Sequence, residues 1–563
     1  MNSLRRLAAV LAALSTTATR ADDPPKGEVA KYSITTDKFF PGTTRDYWVY
    51  VPRQYDPARP ACVYVNQDGV QFDAPKVFDR LIAAGEMPVT VGVFVAPGKV
   101  KAPNDQALDR FNRSYEYDGL GDNYVRFILE VVLPDVEQKS TADGRKIVLS
   151  KSGNDRAIGG SSSGAIAGFT AAWERPDAFS RVFSSIGTYV GLRGGNEYST
   201  LIRKVEPKPL RIYLEDGTND LNIYGGDWWM ANQMMERSLT FAGYEVAHDW
   251  GDGGHNGKHA TEIFPDAMRF LWRGWPEPVK AGKGSSQLQE ITLPGEGWRP
   301  VAPGGMIAAD AQGVIYSRDL FSGRISRLGP DGRPEPFAET PKGPGGIAFG
   351  PRGTLFVVLG EQVAGIEADG KLMDVADRFV GTRLAARADG NLYQADGGVF
   401  RPENGAGKRQ LDPRGDRRGA LTGRLDIGGI AFSPDQSLIY LADPHSHWVY
   451  SAQLTPDGSA TDLQRYYHLH VPDRVDESGA VALRVDRDGR LYVATMMGIQ
   501  VCDQAGRVNV ILPMPGWPGD IAFGGQGRDT LFATVGGTLY KRKLKVRGLE
   551  PYDPPIKPTP PRL

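Results

Sequence analysis

Over roughly the first 275 residues, short apolar runs alternate with longer amphipathic stretches. The runs at 61–65, 89–95, 156–159 and 210–214 are nearly unbroken in apolar character. That is the pattern of strands covered on both faces. Between them, 124–136, 165–173 and 228–242 place apolar residues at helical spacing. Strand then helix, repeated, predicts a largely parallel sheet with crossover helices on both faces. After Trp275-Pro276-Glu277-Pro278 the rhythm changes. A Gly-containing turn, a short apolar strand, a polar turn and a second strand then recur. The copies centre on 304–316, 345–356, 389–393, 428–440, 488–492 and 519–522. Six strand pairs at a period of roughly 35 to 50 residues predict the blades of a closed all-β propeller.

Length agrees with two folding units, since 563 residues exceed what one hydrophobic core organises. The first residues look like an export signal: Arg5 and Arg6, an apolar run at 7–14, and Thr19-Arg20-Ala21 as a small-residue cleavage site. A secreted or periplasmic protein is therefore expected. No segment reaches the roughly 18 apolar residues of a membrane span. Lys plus Arg is 66 against Asp plus Glu 67, which gives no reason to expect nucleic acid as a partner. With only Cys62 and Cys502, in different units, no disulfide framework is expected. The expected organisation is a signal peptide at 1–21, a first domain at 28–276, a linker at 277–289, a six-bladed propeller at 290–546 and a loose Pro-rich tail at 547–563.

The chemistry concentrates in the first domain. Gly160-Ser161-Ser162-Ser163-Gly164 fits the G-x-S-x-G elbow, with an apolar strand before it and a helical stretch after it. The sharp turn needs small flanking residues and lifts one hydroxyl toward the N-terminus of the next helix. Only Ser162 sits between the two glycines at the required spacing, so Ser161 and Ser163 are set aside. A serine hydroxyl needs a base, and the base an orienting carboxylate. Chain order in such folds is Ser, acid, His. The loop Glu215-Asp216-Gly217-Thr218-Asn219-Asp220 follows the strand at 210–214 and offers Asp220, with Asp216 as runner-up. Gly251-Asp252-Gly253-Gly254-His255 then supplies His255 in a Gly-rich loop. His259 is the alternative base or a substrate contact, and His248, inside a strand, is expected to be packed. The two backbone donors of an oxyanion hole are expected from Ser163 and from Asp68 or Gly69 in the loop Asn66-Gln67-Asp68-Gly69.

These residues together resemble the esterase family that includes enterochelin esterases and the feruloyl and acetylxylan esterases of carbohydrate esterase family one. The likeness covers roughly residues 30 to 275. It includes Val51-Pro52 with Tyr55, Gln67-Asp68-Gly69, Asn112-Arg113 with Glu116-Tyr117, the elbow, Gly217 with Asp220, Ala231-Asn232-Gln233 and Gly253-Gly254-His255. It implies an α/β-hydrolase that cleaves carboxylic esters through an acyl-enzyme, without metal or other cofactor. Arg113, Glu116 and Tyr117 are candidates for shaping the pocket, with an internal ion pair that holds a loop as the rival reading. Trp228 and Trp229 are candidates for stacking on a sugar or aromatic acyl group, with core packing at a helix start as the rival reading. The second half resembles the gluconolactonase and regucalcin propellers over roughly 290 to 545. That family holds a divalent cation through Glu, Asn and Asp at blade-entry turns. Here those turns read Gly304-Gly305, Gly345-Gly346, Gly428-Gly429 and Val481-Ala482, none of which carries an oxygen ligand. Asp319, Asp396 and Asp443 are read as turn residues.

The expected activity is that of a serine ester hydrolase acting on a small-molecule or oligosaccharide ester, without metal. The rivals are a sugar lactonase in the propeller and a siderophore-ester hydrolase. The latter needs a basic cavity, and no Lys or Arg run lies near the elbow. An intact Ser, Asp and His in the expected order weighs against a binding protein with a vestigial hydrolase fold.

Overall fold

The computed structural model describes residues 24–561 apart from 378–380, 395–397, 401–408, 411–426, 457 and 459. The predicted signal peptide and Asp396 lie outside the described residues. The first domain is built on β1 (Glu28–Thr36), β2 (Thr43–Val51), β3 (Cys62–Gln67), β4 (Thr90–Val95), β5 (Lys99–Val100), β6 (Arg110–Phe111), β7 (Arg156–Ser161), β8 (Arg181–Ser185) and β9 (Arg211–Gly217). A small ribbon, β10 (Asn222–Ile223) with β11 (Gly226–Asp227), precedes β12 (Glu245–Gly251). The sheet runs β12-β9-β8-β7-β3-β4-β2-β5-β6, with β1 paired to β2. From β12 to β4 every pairing is parallel, and β2 turns antiparallel against β4.

All residues of β3, β4, β7, β8 and β9 are buried. On one face the helices Ala74–Ala83 and Lys258–Trp272 bury Phe78, Leu81, Phe264 and Met268 against Tyr64, Ala157 and Phe183. On the other, Ser163–Glu174 and Trp228–Ala242 bury Phe169, Met235 and Leu239 against Val63, Ile158 and Ile212. Alternate strand residues thus feed two separate cores, which is why these strands read as continuous apolar runs. β3 and β9 extend beyond their apolar runs through Asn66-Gln67 and Glu215-Asp216, polar residues that are nevertheless buried. The helix expected at 124–136 contains a π-helical turn at Ile128–Val132, just before Pro134, which has no N–H to return to Glu130. His248 departs from its expected packing: β12 is an outermost strand, and the imidazole lies exposed and stacked on Trp250 with centroids 4.6 Å apart.

The second half is a propeller. Five four-stranded sheets and one with a fifth short strand follow in chain order, matching the six repeats. The inner strands are Met306–Ala309, Ile347–Phe349, Leu384–Ala386, Gly429–Phe432, Ala482–Asp486 and Pro518–Gly524. Each neighbours the next, and the last neighbours the first, so the ring is closed. Closure uses both ends of the unit: Arg299–Pro303 pairs with Thr538–Lys543 in the final sheet. Part of the stretch expected as linker is the helix Ser286–Ile291, capped by Ser285, with Leu288 and Ile291 packed into the propeller core.

The Pro-rich tail is not loose over its described length. Gly548–Leu549 joins the sheet edge beside Val485-Asp486. Gln436 donates to the carbonyls of Pro551 and Asp553, and the Tyr552 hydroxyl to Ala309 O at 2.8 Å. A run of prolines offers carbonyls but few N–H groups, so side-chain donors bind it. Where the two halves meet, Val205 bridges to Ile511 and Glu206 takes a two-pronged pair from Arg542, at 2.6 and 2.7 Å. A cavity of 560 Å³ along this seam is lined by Trp173, Glu174 and Lys208 from the first half and His468, Arg474 and Trp517 from the second. Cys62 and Cys502 are both buried and free. Among the described residues no helix is long and apolar enough to cross a membrane.

Candidate active site

Sheet register sets the site. Ser161 lies opposite Ser185, Ser185 opposite Glu215, and Gly217 opposite Gly251. The residues that follow β7, β9 and β12 therefore emerge at the same edge, the carboxyl edge where open α/β sheets carry their ligands. Ser162 occupies the bend between β7 and the helix Ser163–Glu174, with φ 60° and ψ −121°. A non-glycine residue in this region is strained and is held there by its surroundings. The close packing explains the glycines: a Cβ on Gly160 would lie 2.7 Å from the Gly164 carbonyl group, and one on Gly164 3.0 Å from the Asp68 carboxylate.

Ser162 Oγ lies 2.8 Å from His255 Nε2, and His255 Nδ1 lies 2.6 Å from Asp220 Oδ1. The expected three residues, drawn from loops 35 and 93 residues apart in sequence, thus form one chain of hydrogen bonds. Asp220 Oδ1 also accepts from Leu221 N at 2.6 Å. Burial opposes the charge on Asp220, yet His255, Asp216 and the Leu221 N–H together hold its carboxyl below the usual range. Trp228 stands edge-on to the His255 ring at 5.8 Å. With the indole fixed in this way, the imidazole rests against a rigid wall.

Several other candidates sit differently. Glu116 does not face the site: its side chain is fully buried and bound two-pronged to Arg45, which fixes the segment behind the oxyanion loop. Arg113 pairs with Asp68 rather than projecting freely. Trp228 is 2% exposed and donates to Thr188 Oγ1, so no face is left for stacking. Trp229 packs edge-on to Trp250. His259 is drawn away by Glu215, at 2.9 Å, and by Asp249. Burial raises the Glu215 carboxyl despite that imidazole. Of the oxyanion candidates, Gly69 N donates to Val95 O at 3.3 Å, a backbone bond that spends it. Among the described residues Asp68 N meets only the Tyr117 hydroxyl, at 3.3 Å. Ser163 opens its helix, so its N–H has no intrahelical acceptor. Sequence reasoning missed Thr188, whose Oγ1 is 3.3 Å from Ser162 Oγ; Tyr117, a pocket candidate, sits under the oxyanion loop as the partner of Asp68 N. Thr188 belongs to no motif, and only the fold brings it in.

The resemblance of the propeller implies a divalent cation at the channel entry. Gly305, Gly346, Gly429 and Val481 sit at the inner-strand starts without donor side chains. Asp520 is the carboxylate there, and its oxygens accept from Ile307 N and Ile521 N, both at 2.9 Å. Arg383, on the blade opposite, reaches across to Gly519 O at 3.0 Å and lies 3.7 Å from Asp520. A guanidinium already balances that carboxylate. Among the described residues no group of three or more His, Cys, Asp or Glu is placed to hold a metal ion. These residues do not fit a divalent cation.

Two family matches now divide the chain as the fold does. Residues 41–258 match the esterase family, described as "Putative esterase". Residues 302–537 match the "SMP-30/Gluconolactonase/LRE-like region" family. Among individual proteins, a 6-deoxy-6-sulfogluconolactonase of Pseudomonas putida is 26% identical over 235 residues, 39% of this chain and 78% of that protein. A gluconolactonase structure from Xanthomonas campestris aligns with TM-score 0.39 and 20% identity, over 46% of this chain and 93% of that one. A ferulic acid esterase aligns at 0.34 and 15%, over 44% and 99%. The enterobactin esterase of Shigella flexneri aligns at 0.34 and 19%, over 45% and 62%.

Proposed function

We propose that the first half is a serine carboxylic-ester hydrolase working through an acyl-enzyme, and that it acts on a carbohydrate ester outside the cytoplasm. The observation that carries this reading is the unbroken path Ser162 Oγ–His255–Asp220, with links of 2.8 and 2.6 Å. The esterase family match supports ester hydrolysis as the reaction class. In this reading Ser162 attacks the ester carbonyl while His255 takes the hydroxyl proton. The Ser163 N–H and the Asp68 N–H receive the developing oxyanion, the latter giving up its long contact to Tyr117. His255 then protonates the departing alcohol and later activates water to release the acid. Asp220 holds the ring and balances its positive charge.

The N-terminal Arg5, Arg6 and apolar run support export. The choice of a sugar ester over a catecholate siderophore ester rests on the absence of a basic run beside the elbow. Hydrolysis of p-nitrophenyl acetate and of acetylated and feruloylated sugars by the whole protein and by Ser162→Ala tests the reading. Loss of turnover in the variant, with a chelator inert, is expected. Full turnover by Ser162→Ala would refute it.

A second reading, a sugar lactonase in the propeller, is favoured by the 26% identical lactonase relative. Against it stands the donor set at the channel entry, where Arg383 faces Asp520. Lactone hydrolysis that survives Ser162→Ala and responds to added metal would support it.

A further inference from the structure

The oxygens around Asp220 leave an imbalance. Its Oδ1 accepts twice, from His255 Nδ1 and from Leu221 N, whereas its Oδ2 is buried with no hydrogen-bond donor. Asp216, at the end of β9, shows the same asymmetry: Oδ1 accepts from Gly217 N at 2.7 Å, and Oδ2 is buried and unpartnered. The two residues share one tight turn, in which Asp220 N donates to Gly217 O at 3.0 Å, and each carboxyl bears on the other's charge; Asp216 is 0% exposed as a residue, and the Asp220 side chain is likewise 0% exposed. Two ionised carboxylates neighbouring each other in such a place would repel, and each would hold an acceptor with nothing to accept. A single proton between them resolves both problems.

We propose that Asp216 is a positioning residue of this site, its neutral carboxyl donating a hydrogen bond from Oδ2 to the free oxygen of Asp220. The inference rests on the reading of Asp220 as the orienter of His255. The surroundings decide which carboxyl keeps the proton. Asp220 faces His255 and the Leu221 N–H, both of which favour its charge. Asp216 faces Asp220 itself, the Gly217 N–H and the nearby Glu215 carboxylate, so burial and two acidic neighbours oppose its ionisation. Glu215 in turn is engaged by His259. The donated bond locks the plane of the Asp220 carboxylate and draws off some of its charge. Asp220 is thereby kept as an acceptor for the imidazole N–H rather than a competing base.

The test uses the whole protein with Asp216→Asn and Asp216→Ala. An asparagine amide can donate to Asp220 and has no proton to lose. Asp216→Asn is expected to keep kcat within about threefold, and Asp216→Ala to lower it roughly tenfold or more with KM little changed. Activity of the wild type should fall on the alkaline side as Asp216 ionises, and Asp216→Asn should lack that limb. At pH 8, above the range in which Glu550 stays protonated, infrared difference spectra of wild type minus Asp216→Asn should show a protonated-carboxyl C=O band that is absent from Asp216→Asn. That band is also read in Ser162→Ala, so it tests the carboxyl pair even if the catalytic reading fails. A band that persists in Asp216→Asn, or Asp216→Ala with wild-type kcat and pH profile, would overturn the proposal. Should Asp216→Ala not fold, the infrared band and the Asp216→Asn profile decide the matter.

Discussion

Asp68 and Arg113 meet in a two-pronged pair, Nε to Oδ1 and Nη2 to Oδ2, each at 2.8 Å. Asp68 sits at φ 63°, in the left-handed region that non-glycine residues avoid. The guanidinium therefore holds its partner's backbone in that conformation, the one from which the Asp68 N–H would serve the proposed ester hydrolysis as an oxyanion donor. Arg113→Ala is expected to lower kcat for ester hydrolysis by about 10- to 100-fold, a fraction of the 10²- to 10³-fold cost of losing an oxyanion donor outright. Arg113→Lys should not rescue it, because a point charge cannot grip both oxygens. Steady-state kinetics on p-nitrophenyl acetate check both expectations.

For the central residues, Ser162→Ala should reduce kcat by at least about 10³-fold and Asp220→Asn by a factor on the order of 10³ to 10⁴. A fluorophosphonate should label the wild type at Ser162 and leave Ser162→Ala unlabelled. Mass spectrometry of the labelled peptide locates the adduct. Labelling elsewhere, at wild-type rate, would contradict the assignment.

How much of this was legible beforehand follows a physical divide. Ser162 was readable because the elbow is local: its glycines, strand and helix lie within a dozen residues. Asp220 and His255 were readable because parallel sheets put their working loops at the carboxyl ends of successive strands. What stayed open depended on partners far away in the chain. Glu116 was readable as a pocket residue or as half of an internal ion pair, and Arg45, which decides it, is 71 positions distant. Trp228 was readable as a stacking platform or as core, and Thr188, which claims its N–H, is 40 positions away. Glycine spacing announced the blades, but Arg383 reaching across the ring to Gly519 has no trace in any local pattern. The tail's composition spoke for looseness, and Gln436 and Tyr552 overrode it.

The tail also carries a pH effect. Glu550 is buried, its Oε1 has no hydrogen-bond partner and Arg484 Nε is 4.0 Å away. Burial pushes its carboxyl up to about 7, with Arg484 and Arg528 only partly offsetting. A carboxyl raised in the folded state stabilises the fold while protonated. That contribution is complete below its ordinary value near 4.5, declines as the pH rises, and is gone above about 7. The amount is on the order of 3 kcal/mol. Glu550→Gln should thus be more stable than the wild type at pH 8 and indistinguishable from it near pH 4. Denaturant melts at the two pH values measure the difference.

At the seam, Arg542 is 2% exposed and spends two N–H groups on Glu206. Arg542→Ala should cost about 2 kcal/mol, less than a fully buried pair because the Glu206 side chain is about a third exposed. Glu206→Gln, which keeps one acceptor, should cost less. Calorimetry should also show the two halves unfolding in separate steps in Arg542→Ala if the pair is what couples them.

The pairing of Arg299–Pro303 with Thr538–Lys543 dictates the order in which a growing chain can acquire its shape. The hydrolase sheet has its last strand by Gly251 and can consolidate while the remainder is still being translated. The ring has no such freedom: its first strand must wait, edge bare, for nearly 240 residues to be synthesised. A chain stopped short of Thr538 would therefore forfeit the whole circle, not just one blade, and expose strand edges to intermolecular pairing.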